Sequence, residues 1–345
     1  MTTLSEAYKD TPLNLQHIVP LDFESIQELP DSHAWSSSNE FTLPCSQTDE
    51  KSPSVPIVDL KGTNLVEKIG HACENYGVFQ IINHGVSSKL LNEVEYQARR
   101  LFALPAHQKL KALRSPGGAT GYGIARISPF FPKFMWHEGF NMMGSPVDHA
   151  RELWPIDYDN FCDVMEEYQK KMKSLVYQLL LLVLESLGAS QEDMESLFPT
   201  YESAESLQLN SYPSCPDPSR AIGLAPHTDS LFLTILNQSD TNGLQIFRDG
   251  IGWVPVCPVN DALVVNIGDL LHIFSNGRFP SVYHRAIVNE TKHRISMAYF
   301  YGPPPESEIA PFAKLPLRKY RSLKVKEYIG IKAKHLDKAL SLIRL

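Results

Sequence analysis

The sequence predicts an α+β fold: a double-stranded β-helix (jelly-roll) core with flanking helices and an N-terminal α/β region. Three observations lead there. Across residues 206–301, short runs of Val, Ile, Leu and Phe, as at 231–236, 243–247 and 262–267, alternate with Gly, Asn, Asp and Pro. That texture belongs to an antiparallel barrel or jelly roll. Two long stretches, 87–103 and 160–187, carry helical spacing, the second lining up Met165, Tyr168, Met172, Leu175, Leu179 and Leu182 along one packing stripe. Upstream, β-type runs at 55–60 and 78–83 bracket a helical pattern over 65–76 that stops before Gly77.

These elements divide the chain into four expected parts. Residues 1–52 are rich in Ser, Pro, Asp and Glu and read as a loosely ordered arm. Residues 53–200 hold the N-terminal strands and helices, together with a Gly-, Pro- and aromatic-rich segment at 115–155. That segment is too apolar for a linker and reads as pocket lining. The jelly roll occupies 201–305. Residues 306–345 return to helical spacing from about 324 to 343 and are expected to cover one end of the barrel.

Composition narrows the function classes. With 345 residues, 43% hydrophobic and 21% charged, the chain has ample material for a core. A net charge of -7 without a Lys/Arg run argues against nucleic acid as a partner. The longest strongly apolar run, 179–184, is too short to span a bilayer, so no membrane association is expected. The N-terminus lacks signal-peptide and transit-peptide character, and a cytoplasmic protein is expected. Five dispersed cysteines without a Cys-x-x-Cys motif fit reduced thiols. Nothing demands more than a monomer.

Three residues suggest a metal site. His227 and Asp229 stand two apart in what reads as extended chain, so imidazole and carboxylate share a face. Within the strand-like run 281–288, His284 shares its face with Val282, Ala286 and Val288, and a histidine turned into an apolar barrel needs a partner. Two His and one carboxylate suit iron(II) that must keep positions open for other ligands. The letters alone are weak, however. His335-Leu336-Asp337 repeats the motif in a predicted helix, where positions two apart diverge, and reads as a solvated or capping pair. His272 is another isolated barrel histidine, and alternation does not choose between it and His284.

Ten residues after His284, Arg294 and Ser296 share one strand face and offer a rigid cationic fork beside a hydroxyl, a pairing that suits a carboxylate. The same tripeptide recurs at Arg126-Ile127-Ser128, off the barrel strands, where the guanidinium is free to meet substrate or solvent. Asn210 and Tyr212 alternate inward against an outward Leu209, which puts a phenol within reach of the same ligand; an ordinary amphipathic strand ended by Pro213 explains the pattern as well.

Together Asn210-Ser211-Tyr212-Pro213-Ser214-Cys215-Pro216, His227-Thr228-Asp229, His284 and Arg294-Ile295-Ser296 resemble, in order and spacing, the plant 2-oxoglutarate/Fe(II)-dependent dioxygenases. Pro56-Ile57-Val58-Asp59-Leu60 and the stretch 76–85 look like that family's N-terminal region, so the resemblance covers most of the chain after residue 50. Within the family, stretches 121–126, 135–140, 153–155 and 223–230 look like the gibberellin 3-beta-dioxygenase group. Trp136 and Glu138 remain from the motif typical of gibberellin 20-oxidases, but the rest of that motif is missing. Ser211 departs from a Tyr common in the wider superfamily.

The resemblance implies Fe(2+) held by His227, Asp229 and His284, and 2-oxoglutarate as co-substrate bound by Arg294, Ser296, Tyr212 and Asn210. It also implies O₂ as the second co-substrate and ascorbate as reductant. The implied reaction is 3β-hydroxylation of a gibberellin-like diterpenoid acid, with release of succinate and CO₂. A rigid, apolar acid needs aromatic surface and a cation. Tyr122, Phe134 and Trp136 are the candidate surface, and Arg126 or Lys133 the candidate cation. A related dioxygenase acting at another gibberellin position or on a flavonoid shares every iron and co-substrate residue. A cupin-like binding protein accounts for the barrel histidines but gives Arg294 and Ser296 no role.

Overall fold

The computed structural model describes residues 4–35, 55–197 and 203–345. The strands are β1 (Ile57–Asp59), β2 (Val78–Ile82), β3 (Gly121–Gly123), β4 (Glu138–Met142), β5 (Ala204–Tyr212), β6 (Ile222–His227), β7 (Leu233–Asn237), β8 (Leu244–Arg248), β9 (Gly252–Pro255), β10 (Leu263–Ile267), β11 (His284–Ile287) and β12 (Arg294–Gly302). They form an eight-stranded sheet, ordered β1-β2-β10-β7-β12-β5-β4-β3, and a four-stranded sheet, β6-β11-β8-β9. Strands β5 to β12 thus divide four and four between the sheets, as a jelly roll requires.

Period-two alternation decides what each face of the large sheet meets. Leu207 and Leu209 of β5, Leu233 and Ile235 of β7, and Ile295, Met297 and Tyr299 of β12 are fully buried in the main core. They share it with the helix Asp159–Ser186, whose Met165, Tyr168, Met172, Leu175 and Leu179 are buried along the expected stripe while Leu182, its sixth member, is only partly buried against the same core. Leu209 therefore points away from the cavity but not into water, a correction that follows from both faces of this sheet being covered. The intervening residues Asn210, Thr234, Arg294 and Ser296 face the inner cavity.

Local signals set the flanking elements. Ser87 caps the helix Ser88–Phe102, its side chain accepting from the Leu90 amide. The helix Leu65–Asn75 ends at Gly77, whose φ of +68 lets its amide turn back to the carbonyls of Ala72 and Cys73. A Cβ at Gly77 would lie 2.4 Å from the Pro280 carbonyl oxygen, so the close approach also demands glycine.

Three expectations need correction. The described part of the arm, 4–35, is not loosely ordered: Ile18 is fully buried, and backbone hydrogen bonds join Leu13 to Pro116, Ile18 to Ile124 and Trp35 to Arg220. Polar composition misled here because a few apolar side chains, Ile18 and Phe23 among them, together with backbone hydrogen bonds supply the attachment. The C-terminal helix spans only Val325–His335; Leu336, at φ +42, breaks it before the short turns Leu336–Lys338 and Ala339–Leu342. Cys73, Cys162 and Cys215 are free, as expected, and buried, but Cys257 is disulfide-bonded, and Cys45 lies outside the described residues. Among the described residues, no helix is long and apolar enough to cross a membrane.

Candidate active site

The two candidate histidines are cross-strand neighbours. His227 ends β6 and His284 opens β11, and the two pair directly in antiparallel register beside a bulge. Their rings lie 4.3 Å apart between centroids. Asp229 sits just past β6, its Oδ1 3.8 Å from Nε2 of each imidazole. Among the described residues these three form the one group of such side chains able to hold a metal ion, with all ligand atoms within 4.8 Å of one another.

Outer partners aim each donor. His227 Nδ1 donates to the Ala225 carbonyl at 2.8 Å and His284 Nδ1 to the Val282 carbonyl at 3.1 Å, which leaves each Nε2 lone pair facing the centre. Asp229 Oδ2 accepts from Thr234 Oγ1 at 2.7 Å and Asn266 Nδ2 at 3.5 Å, leaving Oδ1 for a metal. Burial, then the neighbouring His284, holds the His227 pKa well below its ordinary value, so the imidazole is neutral and its lone pair available. Burial pushes the Asp229 carboxyl up, but His284, His227 and the bonds from Thr234 and Asn266 outweigh it and keep the carboxylate ionised.

The second cluster is assembled by register. Across β12 and β5, Arg294 pairs with Tyr212 and Ser296 with Asn210, so all four side chains share one inward face. Arg294 is 2% exposed; its Nε donates to the Thr241 carbonyl at 3.1 Å, which turns the rest of the fork toward the cavity. The guanidinium lies 5.1 Å from the Tyr212 ring centroid; burial raises the phenol's pKa, and the nearby Arg294 charge and Ser296 oppose that rise. Gly243 leaves room for this arginine: a Cβ there would lie 2.7 Å from Arg294 Cδ and 2.9 Å from Nε. Gly243→Ala is therefore expected to displace the fork and weaken the binding of a carboxylate there by up to about 100-fold. Metal binding at the triad is expected to persist, and an unchanged carboxylate affinity would dissociate Gly243 from the fork.

Residues 203–303 match the family model described as the 2OG-Fe(II) oxygenase superfamily, and residues 55–162 match the N-terminal region described as "non-haem dioxygenase in morphine synthesis N-terminal". Gibberellin 3-beta-dioxygenase 1 of Pisum sativum is 52% identical, over 100% of this chain and 94% of that protein. The chain belongs to the 2-oxoglutarate/Fe(II) dioxygenase family. Gibberellin 3-beta-dioxygenase 1 of Arabidopsis thaliana is 47% identical over 99% of this chain and 98% of its own length. Among solved structures, JOX2 in complex with 2OG, Fe and JA superposes with a TM-score of 0.75 at 30% identity, covering 88% of this chain and 89% of that one. A rice dioxygenase for auxin oxidation gives 0.70 at 26% identity, covering 85% and 100%.

The donor set fits the iron this dioxygenase family holds, since two neutral imidazoles and one ionised carboxylate converge from one side. Both clusters open into one cavity of about 510 Å³. Its walls include apolar Leu224, Leu244, Ala286, Ala298 and Phe300, and the arm contributes Leu4, Tyr8 and Leu13.

Of the five expected substrate residues, Arg126 lines this cavity and the other four do not. Tyr122 donates to Glu138, which Lys109 holds at 2.7 Å in a buried ion pair. Trp136 donates from Nε1 to the Pro213 carbonyl and packs on Phe23. Phe134 lies against His17 and His33, and Lys133 donates to the Asp31 carbonyl. Three of these four are taken up by the arm, which sequence reading had left loose. The letters of 133–136 carry no periodicity to reveal which way each side chain turns.

Sequence reading also missed cavity residues. His137 is buried, its Nε2 3.0 Å from Asn210 Oδ1, and burial lowers its pKa to about 4. Thr234 and Asn266, which orient Asp229, are polar residues at inward positions between apolar strand neighbours, and that was a legible signal. The decoys are resolved by contacts. His272 lies on the short helix Asp269–Phe274, not on a strand, with Nδ1 on the Phe279 carbonyl and Nε2 on Tyr320. Asp337 accepts from Tyr283, and Ser128 bonds to His17.

Proposed function

We propose that this enzyme hydroxylates the 3β position of precursor gibberellins, using O₂ and 2-oxoglutarate and releasing succinate and CO₂. The observation that carries the reading is a single cavity of about 510 Å³ containing both the triad and the Arg294 cluster, with apolar space beyond them. The names of the relatives aligned along the whole chain supply the substrate class.

In this reading His227 Nε2, His284 Nε2 and Asp229 Oδ1 hold iron. Arg294 and Ser296 take the distal carboxylate of 2-oxoglutarate, with Tyr212 and Asn210 beside them. When bound, iron with its co-substrates supplies the oxidising chemistry that couples decarboxylation to hydroxylation of a C–H bond. The protein's share is aim and exclusion. Thr234 and Asn266 fix the carboxylate, the two backbone carbonyls fix the imidazoles, and the apolar walls keep water from the reacting centre. Arg126 is the cation that supports recognition of an acid substrate. Ascorbate as reductant, a monomeric state and a cytoplasmic location belong to the same reading.

The test is incubation with iron(II), 2-oxoglutarate, ascorbate and a panel of gibberellin precursors and flavonoids, followed by mass spectrometry and NMR of the products. One oxygen is expected at the 3β position of a gibberellin. Oxygen inserted only into a flavonoid, or only at another gibberellin carbon, would refute the assignment.

A further inference from the structure

One wall of the cavity holds two guanidiniums whose charge is not compensated within the described residues. Arg114 is 5% exposed and its Nη2 donates to the Ile124 carbonyl at 2.8 Å, while its Nε, fully buried, has no partner among the described residues. Arg126 donates from Nη1 to the Gly118 carbonyl at 2.5 Å and from Nη2 to the Thr11 carbonyl at 3.0 Å. All of these acceptors are neutral backbone oxygens. The Arg126 guanidinium lies 4.2 Å from the centroid of the Tyr8 ring, and both arginines bear electrostatically on that phenol and on each other. Burial, and next the Arg126 charge, pull Arg114 down to about 10, which still leaves it protonated at neutral pH.

Two like charges drawn from water without a counter-ion are costly, and carbonyl dipoles offset that cost only in part. A carboxylate in the cavity would meet the cavity-lining guanidiniums of Arg114 and Arg126, through their remaining donors, in charge-assisted hydrogen bonds. His137, Asn141 and Gln208 line the same cavity and add polar groups. Arg294 is not available for this role in the present reading, because 2-oxoglutarate occupies it.

We propose that Arg114 and Arg126 together form the anion pole of the substrate cavity, a subsite for the carboxylate of an apolar acid. The proposal deepens the gibberellin reading and rests on its placement of 2-oxoglutarate at Arg294. Anchoring the carboxylate at this pole restricts which carbon of a rigid substrate reaches the triad in the same cavity. Arg114 becomes a specificity-determining residue, and Tyr8 shows that the arm helps to close the subsite.

The experiment compares the iron- and 2-oxoglutarate-loaded enzyme with its Arg114→Gln and Arg126→Gln variants on a gibberellin acid and on its methyl ester. Wild type is expected to favour the acid by about tenfold or more in kcat/KM. Each variant should bring the acid-to-ester ratio near one, chiefly by raising the KM for the acid. That ratio is independent of the fraction of enzyme folded, so a destabilised variant still reports. A wild-type ratio kept in both variants overturns the subsite.

Should no gibberellin be turned over, the gibberellin reading fails by itself. The subsite is then judged by anaerobic calorimetry with adamantane-1-carboxylate and adamantane-1-carboxamide. Tighter binding of the carboxylate, lost in both variants, upholds it; equal binding of the two probes overturns it.

Discussion

Asp229→Ala is expected to abolish substrate hydroxylation and 2-oxoglutarate-dependent succinate formation together. The carboxylate is the only anionic member of the triad, and its Oδ1 stands 3.8 Å from both imidazole Nε2 atoms. Its removal leaves two neutral imidazoles to hold a dication and strands the hydroxyl of Thr234, whose acceptor is Asp229 Oδ2. Loss of an outer partner of a metal ligand typically costs about 10- to 100-fold in affinity or activity, and loss of the ligand itself should exceed that. Iron affinity, measured by titration under anaerobic conditions, should fall with activity. Equal succinate formation in wild type and variant would remove Asp229 from the metal centre, and the triad with it.

Arg294→Lys is expected to separate co-substrate binding from metal binding. Arg294 anchors its own Nε on the Thr241 carbonyl at 3.1 Å and leaves the rest of the fork for a carboxylate. Lysine keeps the charge but loses the two parallel donors and the bond to Thr241. The cost should be that of a hydrogen bond to a charged group, about 1.5–3 kcal/mol. That corresponds to roughly 10- to 150-fold in the KM for 2-oxoglutarate. Iron binding should be retained, because among the described residues Arg294 Nε donates to the Thr241 carbonyl and not to His227, Asp229 or His284. A KM equal to that of wild type would move the co-substrate site elsewhere in the cavity. Gly243→Ala approaches the same fork from its other side, and the two variants should err in the same direction.

Along the long helix Asp159–Ser186 and the barrel strand β12, sequence and structure agree. The stripe on Asp159–Ser186 packs as its spacing implies, and the alternation along β12 turns Arg294 and Ser296 inward while Ile295 and Met297 enter the main core. Regular elements leave each side chain a choice of two faces, and polarity selects one. The segment 115–155 has no such constraint. Its aromatics look alike in sequence, yet Trp136 packs on Phe23, Tyr122 joins the Lys109–Glu138 pair, and Arg126 alone of the expected substrate residues reaches the cavity.

The sequence by itself determined the jelly-roll pattern, the candidate donors His227, Asp229 and His284, and the pairing of Arg294 with Ser296, because each depends on residue type and a fixed short spacing. The choice between the two isolated histidines, His272 and His284, came only from the tertiary structure. His284 faces His227 because β11 pairs with β6 in one register, whereas His272 spends both ring nitrogens on Phe279 and Tyr320. The arm likewise acquired its place only in three dimensions. Its backbone hydrogen bonds to distant carbonyls and amides do not depend on side-chain type, and so leave no mark in the sequence.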